Sequence, residues 1–475
     1  MKKLFSNELN NLVNEKYLYN FMYDFCNSMD MICEIKDNNK LIALNVKNYT
    51  EITINWGDGV IDIITDDNMK HTFENNGKYR IMVYGDFDTF EGIENHNVIE
   101  IESYGFSNIK KINFAGFMNL LKVPDYLPSS VTDISKLFAK NMYINCDISK
   151  WNTSNITIMG YCFFEASNFN CDISNWDTRN VINMTCMFYF ATSFNQNISN
   201  WNTSKVINMS FMFCNAREFN QNELIWDTSK TTAMNYMFYK SKFNGNIIYF
   251  DTSKVTTMKY MFGGSVFNQN INHFNTSAVT DMSFMFYNNN AFNQELSNFN
   301  TSNVITMKAM FSGASSFNKN LTNFDTKNVS DMSYMFNCAT NFNSAVNFMT
   351  HNVITMKCMF GDAHNFNQNI NFYTPKLNDT SFMFYNARSF NKNITSLNLS
   401  IVKNMSHMFD GASVFNQPII IRNNRVLEDT SFMFHNASCF NQDTYCINNI
   451  SLVNTKSMYD GAVALNDIFK LIKPT

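Results

Sequence analysis

Apolar positions along this chain follow three successive patterns. From Phe5 to about Met29, Leu9, Leu12, Val13, Tyr17, Leu18, Phe21 and Met22 recur near helical period, which predicts an amphipathic helix within residues 1–30. From Ile32 to about Gly92 the pattern alternates. Ile42, Leu44 and Val46 form an apolar face opposite Leu41, Ala43, Asn45 and Lys47, and Asp58-Gly59 separates two β-rich runs, a hairpin signal. This succession predicts a small β-sandwich over 31–95. Residues 96–125 read as degenerate capping turns, the irregular first units of a stack. From 126 to 475 the pattern repeats every 24 or 25 residues, in about fourteen units.

One unit runs through Trp176-Asp177-Thr178, Val181, Met184, Met187-Phe188, Ala191, Phe194-Asn195 and Ile198-Ser199-Asn200, and the next opens at Trp201. Steps of three and four residues from Val181 to Ala191 predict one face of a short helix, with Thr178 as its cap. Ile198-Ser199-Asn200-Trp201 predicts a short strand. The expected fold is an α/β repeat solenoid of leucine-rich-repeat type, with one strand and one helix per unit, preceded by the sandwich. Single residues are lost between Phe238 and Phe243 and between Phe342 and Phe348, in links rather than at anchors.

An asparagine holds its register through the units, at Asn145, Asn170, Asn195, Asn220, Asn244, Asn268, Asn293, Asn318, Asn343, Asn367, Asn391, Asn416, Asn441 and Asn466. Its amide can bond its own turn and the next, so the column is expected to be a structural ladder. The link residue Asn289 is expected to be dispensable. The threonine column (Thr153, Thr178, Thr203, Thr228, Thr252, Thr276, Thr301, Thr326, Thr350, Thr374) reads as helix caps, with a flat ice-binding array as the other reading.

The pattern V-x-x-M-x-x-M-F-x-x-A-x-x-F-N-x-x-I-S-x-W-D-T-S resembles the BspA-like leucine-rich-repeat surface proteins over residues 126–466. That resemblance implies protein binding or adhesion at a cell surface. Trp56-Gly57-Asp58-Gly59, His71-Thr72-Phe73 and Gly77-Lys78-Tyr79 resemble a PKD-like module. The N-terminal residues break any secretory apolar run with Asn10, Asn11, Asn14, Glu15 and Lys16. The expected location is therefore intracellular or within a virus particle, with the cell surface as the alternative that the resemblance implies. No stretch of about 18 apolar residues exists, so membrane insertion is not expected.

A net charge of −4 leaves no electrostatic footprint for nucleic acid. With 47 Phe and 31 Met, apolar material suffices for a long core. The eleven cysteines carry no CxxC pair and read as reduced, although Cys146 and Cys171, in one column of adjacent units, lie within reach of a disulfide. Asp58, Asp62 and His71 read as turn aspartates and a packing histidine rather than a metal site. No catalytic, metal or cofactor motif stands out, so neither an enzyme nor a cofactor is expected. Binding has a better candidate. Aromatic residues flank the recurring Phe two places before it and one place after it. The candidate set is Tyr189, Phe211, Tyr236, Tyr239, Tyr260, Phe284, Tyr287, Tyr334, Phe382 and Tyr385. Such a ladder suits a protein partner, and packing between neighbouring helices is the alternative. Lys205, Lys230 and Lys254, in one column of three adjacent units, read as a solubilising basic stripe rather than a phosphate reader. The expected function is a non-enzymatic protein–protein interaction or adhesion scaffold; the alternative is a structural component of a large assembly such as a virus particle.

Overall fold

The computed structural model describes residues 28–36, 40–65, 69–105, 108–421, 424–447 and 452–470. The helix predicted within residues 1–30 lies outside them, except that residues 29 and 30 open a strand. The chain forms two compact units, Met1–Asn202 and Thr203–Thr475.

Among its described residues the first unit carries nine strands: β1 (Met29–Ile35), β2 (Leu41–Lys47), β3 (Ile52–Asn55), β4 (Ile61–Ile64), β5 (Lys70–Thr72), β6 (Gly77–Tyr84), β7 (Thr89–Gly92), β8 (Val98–Ser103) and β9 (Lys111–Asn113). They make a five-stranded sheet, β4-β3-β6-β1-β8, and a four-stranded sheet, β5-β2-β7-β9. Alternation decides the faces: Ile42, Leu44 and Val46 of β2 are buried. The β3–β4 hairpin turns at Gly57, whose φ is +83° and where an added Cβ would stand 2.4 Å from the Arg80 carbonyl oxygen. Aromatic pairs join the two sheets, Trp56 stacking on His71 at 5.0 Å and Phe73 packing on Tyr79 at 4.5 Å. β9 pairs parallel with β7, and Lys111 bridges Asp133, Asp133 bridges Ile158 and Ile158 bridges Asn183. The second sheet thus leads into the first repeats.

The repeats themselves correct the predicted fold class. No α-helix occurs among the described residues, and the only helical pieces are 3₁₀ turns at Tyr445–Ile447 and Asp467–Phe469. Each unit is instead a rung of consecutive tight turns. In one rung, Val181 N–H donates to Thr178 O (2.9 Å), Met187 to Met184 (3.2 Å), Ala191 to Phe188 (3.1 Å), Phe194 to Ala191 (3.1 Å) and Trp201 to Ile198 (3.2 Å). The amides between them reach the following rung: Tyr161 N–H bonds Thr185 O (2.8 Å) and Phe163 N–H bonds Met187 O (2.9 Å). A helix needs all these donors for bonds along its own axis. Here alternate donors turn sideways, and the backbone that aims them holds two residues per rung at positive φ, such as Tyr236 (58°) and Lys240 (54°). The three- and four-residue steps therefore arise from turns. The predicted strand at Ile198–Trp201 is likewise a turn, and the parallel bridges fall elsewhere, through Asn208, Ala233, Thr257, Asp281 and Thr306 in the second unit.

Two phenylalanine columns fill the core. In the second unit Phe286 stacks on Phe262 (5.9 Å) and Phe311 (5.5 Å) in adjacent rungs, and on Phe292 (3.8 Å) within its own. Each buried ring contributes about 1.5–3 kcal/mol. The threonine column is buried with it, at 0–2 % exposure. From Thr153 to Thr350 those hydroxyls donate across rungs, as Thr276 Oγ1 does to Asn300 O at 2.8 Å, and Thr374 Oγ1 accepts the Asn398 N–H at 2.9 Å. They therefore cap no helix, and buried hydroxyls cannot present a flat exposed array. At most of these positions the residue before the Thr closes a local turn with its side chain, as Asp227 does by accepting the Ser229 N–H at 2.9 Å. That explains the recurring Asp-Thr-Ser or Asn-Thr-Ser.

Candidate functional site

In the second unit, four rings of one column stack face to face: Phe211 on Tyr236 (4.5 Å), Tyr236 on Tyr260 (4.6 Å) and Tyr260 on Phe284 (4.3 Å). Tyr239 and Tyr287 stand edge-on beside them, 5.3 and 5.8 Å from Tyr260, and the Lys240 ammonium lies 5.2 Å from the Tyr239 ring. All six rings are half-buried. Both faces of Tyr236 and of Tyr260 are taken up by neighbours in the stack, so these two offer ring edges and hydroxyls to solvent. Burial pushes the Tyr260 phenol up to about 12, with nearby Tyr236, Tyr239 and Tyr287 adding to the effect, so it remains a neutral hydrogen-bonding group.

Ala309 and Cys358 interrupt the column, with Tyr334 half-buried between them. The column resumes with Phe382, His407 and Phe432, stacked at 4.4 and 4.6 Å, and Tyr385 stands edge-on to Phe382 at 5.7 Å. Beneath them Asp410 is buried, and its two carboxylate oxygens take one imidazole each: His407 Nδ1 at 2.7 Å and His435 Nδ1 at 2.8 Å. Sequence reasoning passed over this cluster. The signal was that His407 stands in the aromatic column, where an imidazole serves as a ring. Tyr189, in the first unit, stacks on Phe164 at 4.7 Å. Within the second unit the structure therefore brings Phe211, Tyr236, Tyr239, Tyr260, Phe284 and Tyr287 into one patch, joins Phe382 and Tyr385 to the histidine cluster, and leaves Tyr334 apart from both groups.

The asparagine column forms a bonded series. Asn293 N–H donates to Asn268 Oδ1 (2.9 Å) and Asn318 N–H to Asn293 Oδ1 (3.0 Å). The same bond links Asn145, Asn170 and Asn195 in the first unit, and Asn220, Asn244, Asn268 and the successive members from Asn318 through Asn343, Asn367, Asn391, Asn416 and Asn441 to Asn466 in the second. These side chains are exposed or half-buried. Asn289 overturns its expected dispensability. It is fully buried, its amide donates to Phe267 O (3.0 Å), and its oxygen accepts the Ala291 and Phe292 N–H groups (3.1 Å each).

In the first unit His71 Nε2 lies 2.6 Å from Asp58 Oδ2, while Asp62 accepts the Trp56 indole N–H at 2.7 Å, so the two carboxylates serve different partners. Burial pushes the Asp58 carboxyl up, but the His71 hydrogen bond and charge outweigh it and hold the group below its ordinary range. No group of three or more His, Cys, Asp or Glu side chains able to hold a metal ion occurs among the described residues. Cys146 and Cys171 are free thiols, and Cys171 Sγ donates to Asn145 Oδ1 at 3.2 Å. Among the described residues, no helix is long and apolar enough to cross a membrane.

No curated protein and no solved structure matches this chain. Residues 105–225, 224–319, 264–373 and 371–470 each match one family model, described as a Mycoplasma protein of unknown function, DUF285. The matched stretches extend from residue 105 to 470, over most of the chain, and the chain belongs to this DUF285 repeat family.

Proposed function

We propose that this protein is a non-enzymatic scaffold that binds a protein partner through the aromatic ridge of its second unit. One observation carries the reading. The ridge residues Phe211, Tyr236, Tyr260 and Phe284 all adopt positive φ, between 55° and 60°, where a side chain with a Cβ costs roughly 1–2 kcal/mol. Gly would fit that backbone without the cost and Asn at a lower one, as they do at Gly313 and Asn288. Aromatic rings kept at such positions, half exposed, suit an interface, where tyrosine anchors concentrate binding energy. The likeness of the repeats to BspA-like surface proteins supports adhesion as the setting. The PKD-like motif in residues 31–95 supports a second recognition module.

The test begins with a partner recovered by pull-down from the native source. Replacing both Tyr236 and Tyr239 by Ala should weaken that complex by about 2 kcal/mol or more. Lys230→Ala should have a smaller effect that fades in salt. Circular dichroism shows whether the double variant keeps its fold. If it does not, Tyr239→Ala with Tyr287→Ala, which spares the stacked column, takes its place. Unchanged affinity in folded variants would remove the ridge as the site. Recovery of the chain's own copies as partner would favour a building block of an assembly.

A further inference from the structure

A second surface of the Thr203–Thr475 unit departs from the repeat in a concerted way. The stretch from Asn318 to Phe324 contains one residue more than those from Asn343 to Phe348 and from Asn367 to Phe372. Two consecutive rungs thus lose a residue at the same corner. The turn that Asn320 supports at Thr322 (2.8 Å) has no counterpart at 345–347 or 369–371. The same two rungs also change the following positions. Asp227, Asp251, Asn275, Asn300 and Asp325 each close an Asx turn, but Met349 and Tyr373 stand in the next two places, and His351 and Pro375 replace the usual Ser or Lys two residues later. Met349 is 48 % exposed and Tyr373 67 %.

The result is an open recess of about 530 Å³, lined by Asn323, Asn347, Asn371, Met349, His351 and Tyr373. Pockets of roughly 300–1,000 Å³ are typical of small-ligand sites. The three asparagines form one column, one per rung. Asn323 Nδ2 donates to Leu296 O and Ser297 O (3.1 Å each) and leaves only its oxygen to a ligand, whereas the side-chain amides of Asn347 and Asn371 make no hydrogen bond within the described residues. The one carboxylate at the rim, Asp325, is neutralised by Lys327 Nζ at 2.9 Å. Unlike Tyr236 and Tyr260 on the ridge, the largely exposed Tyr373 ring stacks on no other ring among the described residues and has a face to offer.

We propose that this recess binds a neutral pyranose sugar. The uncharged amides of Asn347 and Asn371 match neighbouring hydroxyls in both donor and acceptor roles. The free face of Tyr373 matches the apolar C–H face of the sugar ring, while the near-neutral charge disfavours anionic and cationic ligands. Saturation-transfer NMR on the full chain, with glucose, galactose, mannose, N-acetylglucosamine and N-acetylgalactosamine as probes, tests it directly. Transfer to the ring C–H protons of at least one sugar is expected. Titration should then show Tyr373→Ala about tenfold weaker, Asn371→Ala weaker in the same sense, and Tyr236→Ala, on the ridge, unchanged. Tyr373 is largely exposed, so its variant should melt with the wild type; if it melts earlier, Asn371→Ala decides. Absence of transfer from all five sugars, or transfer indifferent to the deciding variant, overturns the proposal. So does a partner protein that needs Tyr373 and binds equally well after enzymatic removal of its glycans.

Discussion

At residue 289 a single amide satisfies three backbone groups in the dry interior, donating to Phe267 O and accepting from Ala291 and Phe292 N–H. Four residues on, Asn293 makes its cross-rung bond at a half-buried surface where water can substitute. The two replacements by alanine should therefore differ. Asn289→Ala strands buried donors and an acceptor and should cost roughly 2–3 kcal/mol, whereas Asn293→Ala should cost about 1 kcal/mol. Urea melts of the two variants check this, and equal midpoints would refute it. Asn141 and Asn424 bond in the same way and belong with Asn289: each is buried, donates to two carbonyls and accepts from two N–H groups.

Within each rung, the element that decides behaviour is the pair of positive-φ positions four residues apart. The second of the pair is often Asn or Gly, as at Asn215, Gly264, Asn288, Gly313, Asn386, Gly411 and Asn436. These residues tolerate the left-handed region. Lys240 sits there without that tolerance, so Lys240→Asn should raise stability by up to about 1 kcal/mol. Tyr260→Asn relieves the same strain but removes two ring stacks worth about 0.5–1.5 kcal/mol each, so a net loss of about 1 kcal/mol is expected. Chemical denaturation of both variants measures the balance. A more stable Tyr260→Asn protein would mean that the stack adds nothing to the fold, which would strengthen the binding role of those rings.

On the scale of the whole chain, the hydrogen bonds and ring contacts of a rung run mainly to the rungs beside it. Phe311→Ala removes stacks on Phe286, Phe317 and Phe336 and should cost about 3–5 kcal/mol. Hydrogen exchange should accelerate first in the rungs around Phe286 to Phe336, as nearest-neighbour coupling requires. Uniform acceleration across Thr203–Thr475 would instead show that the unit unfolds as one block. The thiols provide a chemical check in both units. Burial pushes Cys33, Cys171 and Cys358 from 9.0 up to about 12, so all three stay un-ionised at pH 8. Native protein should react slowly with a disulfide reagent at these sites, and all eleven thiols should react after denaturation. Raised thiol values make the folded form resist ionisation. Their contribution is fully present below about pH 9 and is lost as pH rises from there through about 12. Rapid native labelling of Cys358 would contradict the burial argument.

The repeat period, the apolar anchors and the asparagine register were all legible in the sequence, because a stacked core allows only certain columns to be apolar. The alternation of Ile42, Leu44 and Val46 was legible for the same reason, since burial on one sheet face imposes a two-residue period. The backbone path within a rung was not. Steps of three and four residues arise from a helix and also from a chain of turns, and the choice lies with the partners of alternate amides. Those partners are carbonyls about 24 residues away, on the next rung. The buried role of Asn289 and the meeting of His407, Asp410 and His435 were equally invisible. His407 and His435 are 28 residues apart in the chain, and only the stacking of rungs brings both to one carboxylate.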